Sequence, residues 1–106
     1  MDEARKENER LNARNKELDD KLRQGEQREK EIEKQISDIK KELDDPNTSK
    51  QREEELRGQL AFLQTQLDDL RRNNKSYRDE IKKNNKQREN NNSIISGTTS
   101  NLDDKH

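Results

Sequence analysis

The apolar residues of the first 43 positions recur at alternating spacings of three and four residues. When the segment is written as heptads, position a contains Met1, Asn8, Asn15, Leu22, Glu29, Ile36 and Leu43, and position d contains Ala4, Leu11, Leu18, Gly25, Ile32 and Ile39. This spacing places a narrow apolar seam on one face of an α-helix and is typical of helices that pair in coiled coils. It predicts a first coiled-coil helix over residues 1–45.

A second seam follows in a register of its own. Its d positions contain Leu56, Leu63, Leu70, Tyr77 and Asn84, and its a positions contain Leu60, Leu67, Asn74, Ile81 and Arg88. The same argument predicts a second coiled-coil helix over residues 50–89.

The segment between the two seams carries signals that interrupt a helix. Continuing the first register would place a d residue at position 53, whereas the second seam starts at Leu56, so the phase slips by three residues. Pro46 has no N–H and disfavours helical geometry in the residue before it. Asp, Asn, Thr and Ser around it favour turns. We expect a turn or break at residues 46–49, with Thr48 and Gln51 forming a capping box for the second helix.

Two arrangements of the helices fit this pattern. A hairpin folded about residues 49–50 aligns Leu43 with Leu56, Ile39 with Leu60, Ile36 with Leu63, Ile32 with Leu67, Leu22 with Tyr77, and Leu18 with Ile81. A parallel dimeric rod is favoured instead by Asn8 and Asn15, because buried Asn pairs at a positions specify two parallel strands. The six apolar layers lead us to favour the all-α hairpin over the rod, and two hairpins could also form a four-helix bundle.

Both arrangements use the same side chains for pairing. The predicted helix-pairing interface comprises Leu11, Leu18, Leu22, Ile32, Ile36, Ile39, Leu43, Leu56, Leu60, Leu63, Leu67, Leu70, Tyr77 and Ile81. Asn8, Asn15 and Asn74 are predicted to be polar layers that set the register. Gly25 and Glu29 occupy consecutive seam positions and predict a weak layer.

The composition leaves a second interpretation open. Leu, Ile and Phe supply only 17 of the 106 residues, Val is absent and 46% of residues are charged. This apolar share is below the roughly 20% that separates globular from disordered chains. A segment that folds only on pairing with another protein is therefore an alternative to autonomous folding. Beyond Glu89 the chain is rich in Asn, Ser and Thr, which predicts a disordered tail over residues 90–106.

Two surfaces outside the seam are candidates for contacts. Ala61 and Phe62 occupy b and c positions and predict a docking patch for a third helix or a second hairpin. The stretch Arg71–Arg88 contains eight basic and two acidic residues, a composition that can attract phosphates. Its only aromatic residue, Tyr77, belongs to the seam, so we expect neither nucleic acid nor a membrane as partner.

The sequence contains no pattern of catalytic or metal-binding residues. Cysteine is absent, and the single histidine, His106, is the last residue. The carboxylates alternate with Lys and Arg, as on a solvated helix surface. We expect no enzyme activity, no catalytic residues, no metal and no cofactor.

The expected function is that of a non-enzymatic structural or interaction protein. Its coiled coil would support self-association, as a homodimer or higher oligomer, or pairing with another coiled-coil protein. The N-terminus has no apolar stretch typical of a signal peptide, and no apolar run is long enough to span a membrane. An intracellular, cytoplasmic protein is therefore expected.

Overall fold

The chain consists of two long α-helices joined by a short turn. The structure, a computed structural model, describes the backbone of residues 2–104 and the side chains of residues 2–97. Helix α1 covers Asp2–Asp44 and helix α2 covers Lys50–Asp104, and no strand occurs within residues 2–104. This confirms the prediction of an all-α fold with two helices separated at the Pro-containing segment.

The turn between the helices is built from side chains that replace helical hydrogen bonds. The N–H of Thr48 donates to the carbonyl of Asp45 over 3.1 Å, which places Pro46 second in a four-residue turn, where its fixed φ is favourable. The Asp45 carboxylate accepts from the N–H of Asn47 over 2.9 Å. Thr48 Oγ1 donates over 2.7 Å to the carbonyl of Glu42, in the last turn of α1, which also accepts the N–H of Asp45 over 3.2 Å.

Ser49 is the N-cap of α2. Its carbonyl accepts the N–H of Glu53 over 2.9 Å, and its Oγ accepts the N–H of Arg52 over 3.2 Å. The predicted capping box of Thr48 with Gln51 is therefore not formed. The Thr48 hydroxyl is engaged at the end of α1, and the neighbouring serine satisfies the start of α2.

The chain divides into two compact units. The turn unit is Arg23–Lys75, and the end unit contains the described parts of Met1–Leu22 and Ser76–His106. The turn unit is a helical hairpin whose core contains Ile32, Ile36 and Leu67, with Leu60, Leu63 and Leu70 packed against them. Its two helix segments run antiparallel, as predicted for the hairpin arrangement.

The end unit is held by a more polar seam. Leu18 is fully buried, and the other buried side chains are amides: Asn15, Asn84 and Asn91. Hydrogen bonds join Asn15 to Asn84 and Asn8 to Asn91, so these segments also run antiparallel. The apolar residues of this seam besides Leu18 are half-buried, namely Leu11, Leu22, Tyr77 and Ile81.

Helix α2 continues beyond its predicted end at residue 89, and residues 90–97 are helical where the predicted tail would begin. The reason is that Asn91 lies on the seam and is buried against α1. The backbone of α2 is described to Asp104, whereas the side chains of residues 98–106 and the tail prediction for residues 105–106 lie outside the described residues.

Neither α1 nor the described part of α2 contains an apolar stretch that could cross a bilayer.

Candidate functional site: the helix-pairing seam

The predicted apolar interface lies at the contact between α1 and α2. Every predicted apolar interface residue is buried or half-buried: Leu18, Ile32, Ile36, Ile39, Leu56 and Leu67 are buried, and Leu11, Leu22, Leu43, Leu60, Leu63, Leu70, Tyr77 and Ile81 are half-buried. The heptad spacing produces this arrangement because residues three and four apart share one helix face. Within each unit, the seam of α1 therefore contacts the seam of α2.

Asn8 pairs with two consecutive asparagines of α2. Its Oδ1 accepts from Asn91 Nδ2 over 2.9 Å, and its Nδ2 donates to Asn92 Oδ1 over 3.0 Å. Asn91 is buried, and Gln87 Nε2 donates to its Oδ1 over 3.1 Å. The buried amide is thus satisfied as both donor and acceptor, as buried polar groups require.

The same arrangement recurs one heptad further along α1. Asn15 Oδ1 accepts from Asn84 Nδ2 over 2.9 Å, and Asn15 Nδ2 donates to Asn85 Oδ1 over 3.0 Å. Each of these two clusters joins one Asn of α1 to an Asn–Asn pair of α2. Shifting one helix against the other by a single residue would break all four bonds and leave buried amides unpaired, so the clusters specify a register.

The third predicted polar layer, Asn74, has a different environment. Asn74 is fully buried, and its Nδ2 donates a short hydrogen bond to Glu29 Oε1. Its Oδ1 is buried without a hydrogen-bond partner among the described residues. A Cβ built on Gly25 would lie 2.0 Å from that oxygen. Asn74 therefore occupies the space that a side chain at position 25 would need.

Two bidentate ion pairs connect the helices at the surface. Arg14 Nε and Nη2 donate to the Glu80 carboxylate over 2.7 and 3.3 Å, and Arg52 contacts Glu42 in the same way over 2.8 and 3.2 Å. The hydrogen bonds from the guanidinium groups lower the pKa of Glu80 and of Glu42 below the ordinary glutamate value. They also raise the pKa of Arg14 and Arg52.

A third ion pair joins the helices of the turn unit, between Arg71 and Glu33 over 3.1 Å. All three pairs are exposed, so they orient the helices more than they stabilise them.

The predicted docking patch lies on the surface of the turn unit. Ala61 and Phe62 are both exposed, and Phe62 retains 63% of its accessible surface. Phe62 lines an open groove of about 400 Å³ between the helices, together with Gln35, Asp38, Ile39, Gln59 and Leu63.

The hairpin alignment about residues 49–50 sets Asn84 opposite Asn15 and Asn91 opposite Asn8, but the predicted interface did not include them. The seam residues it omitted are Asn84, Asn85, Asn91, Asn92 and Ile95, which are buried, half-buried or bonded to α1 asparagines. The signal was present, since Asn91 and Ile95 continue the d and a positions of the second register beyond Asn84 and Arg88. The Asn-rich composition masked it.

Within residues 2–97 no group of three or more metal-ligating side chains is found. The chemistry of the seam consists of apolar contact and amide pairing between α1 and α2.

No known protein family, curated protein or solved structure matches this chain. The geometry of the seam therefore carries the functional argument.

Proposed function

We propose that this chain is a non-enzymatic structural or interaction protein whose coiled-coil hairpin acts as a scaffold or spacer in a protein assembly. It would present fixed helix surfaces to a partner, which is a second copy of itself or another coiled-coil protein. Its function would follow from the length and surface of paired helices rather than from a catalytic centre.

One observation carries this proposal. The burial of side chains follows the a and d heptad positions along both helices, and the exposed residues between them are mainly charged. A chain of this low apolar content can bury a seam but no broad core. Its order is thus concentrated in the contact between helices, as in proteins that serve as spacers or as helix-pairing elements.

The proposal is tested by measuring helicity and chain pairing without a partner. The chain contains no cysteine, so cysteines introduced at the exposed positions Lys16 and Lys83 can carry spin labels. Antiparallel packing within the end unit predicts a distance of about 25 Å between the labels, allowing for a helix separation of roughly 10 Å. A parallel rod predicts about 100 Å.

The measurement is repeated after dilution with unlabelled protein, which removes signals between chains. A short distance that survives dilution, together with a helical circular dichroism spectrum at tens of micromolar, supports the autonomous hairpin. An unfolded spectrum under these conditions would refute it.

A second candidate is a segment that folds on binding another coiled-coil protein. The observation that favours it is the polar seam of the end unit, where Asn15, Asn84 and Asn91 fill positions that strong coiled coils give to Leu or Ile. Helicity in residues 2–22 and 76–97 that rises only when a partner is added would identify this mechanism.

A further inference from the structure

Phe62 interrupts a pattern of acidic residues on one side of the turn unit. The c positions of the two registers between residues 31 and 69 of the helices contain Glu31, Asp38, Glu55, Phe62 and Asp69, and all five are exposed. Four carboxylates and one phenylalanine therefore share a surface that faces solvent. An exposed aromatic side chain is a common anchor of protein interfaces, and charged neighbours restrict which partner can cover it.

The groove beside Phe62 lacks the charges that usually flank a helix pair. Its g positions are the neutral Gln35 and Gln59, and Ile39 and Leu63 lie beneath them. Glu31, Glu55 and Asp69 each pair with an arginine one turn away on their own helix.

Asp38, which lines the same groove, makes no ion pair with any described side chain. The groove thus offers one aromatic surface and one unpaired carboxylate.

The end unit has a groove with the opposite charge. It measures about 590 Å³, and the half-buried Leu22 and Ile81 form its apolar surface. Its rim contains Lys82 and Lys86, neither of which pairs with a carboxylate among the described side chains. The remaining lining residues are Asp19, Arg78, Asn85 and Glu89.

We propose that a second copy of this chain covers the Phe62 groove, and that Phe62 of one molecule packs against Leu22 and Ile81 of the other. Asp38 then lies near Lys82 and Lys86 of the second copy, so the unpaired carboxylate of one groove faces the unpaired ammonium groups of the other. This inference rests on the proposed function and names the partner that the hairpin would bind.

Charge decides the geometry of this contact. Placing two Phe62 grooves face to face would bring the acidic c positions of both copies together, which is repulsive. The Phe62 groove of one molecule therefore faces the lysine-rimmed groove of the other. A pair that forms one such contact leaves one groove unused on each molecule and can extend head to tail, whereas a pair that forms both contacts closes as a two-fold dimer. In both cases the wild-type chain should self-associate as its concentration rises.

Two variants test this by removing one groove each. The Phe62→Gln substitution removes the aromatic surface, and the double substitution Lys82→Glu with Lys86→Glu reverses the charge of the other groove. All three positions are exposed, so the hairpin should keep its circular dichroism spectrum and thermal transition. Analytical ultracentrifugation should show that self-association of each variant is weakened by at least about tenfold, the scale of losing one interface anchor.

Mixing the two variants provides the decisive measurement. The Phe62→Gln chain retains the lysine-rimmed groove and the double variant retains Phe62, so together they make one intact interface. The mixture should form a 1:1 dimer and nothing larger. A mixture that stays monomeric, or a wild-type chain that is monomeric at hundreds of micromolar, overturns the proposal.

Matched controls separate this interface from general stickiness. Among the described side chains Ile94 is the other large exposed apolar residue, with 55% of its surface accessible, and Ile94→Gln should leave association unchanged. Lys30→Glu with Lys34→Glu reverses two exposed charges at the same spacing outside both grooves and should also have no effect. Controls that reduce association as strongly as Phe62→Gln would contradict the assignment. A helical hairpin that fails to associate refutes only this inference, whereas loss of helix refutes the proposed function.

Discussion

At the scale of single residues, Gly25 is required by the side chain opposite it. Because a Cβ at this position would lie 2.0 Å from Asn74 Oδ1, Gly25→Ala must displace a fully buried amide and its bond to Glu29. We expect the free energy of unfolding to fall by about 1–3 kcal/mol in urea titrations. Adding Asn74→Ala should recover much of this loss, since the two residues compete for one space.

Gly58 supplies the control for this substitution. An added Cβ there meets nothing within 4 Å, so Gly58→Ala should stabilise the chain by about 1 kcal/mol through helix propensity alone. If Gly25→Ala stabilised the chain to the same extent, the tight contact with Asn74 would be disproved.

The Asn15 amide should be more costly to remove alone than together with its partner. Asn15→Ala leaves the buried Asn84 amide without its acceptor, which should lower the free energy of unfolding by about 1–3 kcal/mol. Replacing both residues by Leu creates an apolar layer and should raise stability above wild type, at the expense of register. Chemical denaturation measures the stability of both variants, and label distances in the end unit measure the register of the double variant. A single variant as stable as the double one would argue against the pairing.

At the scale of elements, the turn depends on two hydroxyl groups. Ser49→Ala removes the N-cap of α2 and should lower the free energy of unfolding by about 1 kcal/mol. Thr48→Val removes the hydrogen bond to the Glu42 carbonyl and should lower it to a similar extent, about 1 kcal/mol. Ser37→Ala, at an exposed site inside α1, is the matched control and should stabilise slightly, because Ala is the better helix former. Urea titrations that rank the three variants otherwise would contradict this assignment of caps.

The ion pairs between helices make stability depend on pH in the acidic range. The pKa of Glu42 and of Glu80 is lowered in the folded chain by hydrogen bonds from Arg52 and Arg14. The unfolded chain then binds protons more readily than the folded chain. The ion pairs therefore contribute fully to the free energy of unfolding above the ordinary glutamate pKa of about 4.3, and this contribution is lost as pH falls through the pKa of the folded chain. Thermal transitions measured from pH 7 to pH 2 should show this loss.

Glutamine variants isolate the effect of these carboxylates. Glu42→Gln with Glu80→Gln should flatten the decline of stability between neutral and acidic pH. Glu54→Gln removes an exposed carboxylate that has no arginine partner among the described side chains, and it should leave the decline as it is. If stability declined equally with falling pH in the wild-type chain, the double variant and Glu54→Gln, the ion pairs would not form in solution.

The seam was predictable from sequence, but its chemistry at the ends was not. The three-and-four spacing alone identifies the buried faces of both helices, because burial follows helix geometry. The spacing also continues through Asn91 and Ile95 at the C-terminal part of α2, but the composition around Asn91 is typical of a loop and led to a predicted helix end at residue 89. The hairpin alignment likewise places Gly25 opposite Asn74, but the spacing does not show that the Asn74 side chain fills the space left at Gly25, because that depends on side-chain packing between residues distant in sequence.

At the scale of the whole molecule, the two units differ in what holds them. The turn unit buries Ile32, Ile36 and Leu67 in one cluster, whereas the end unit alternates leucine with paired amides. Apolar burial drives folding, while a neutral hydrogen bond replaces bonds to water and contributes a net stabilisation of only about 1 kcal/mol. The free energy of opening should therefore be lower in the end unit.

Hydrogen exchange on the full chain measures this difference directly. Backbone amides of residues 8–22 and 76–95 should exchange faster than those of residues 28–43 and 56–72, since local opening exposes them at a smaller cost in free energy. Fraying of helix termini also speeds exchange, and the Asn15→Leu, Asn84→Leu variant separates the two causes. It leaves the termini unchanged but replaces an amide layer with an apolar one, so protection around residues 15 and 84 should rise while the turn unit stays as it is. Uniform protection along both helices of the wild-type chain would show instead that the amide clusters hold the end unit as firmly as apolar packing holds the turn unit.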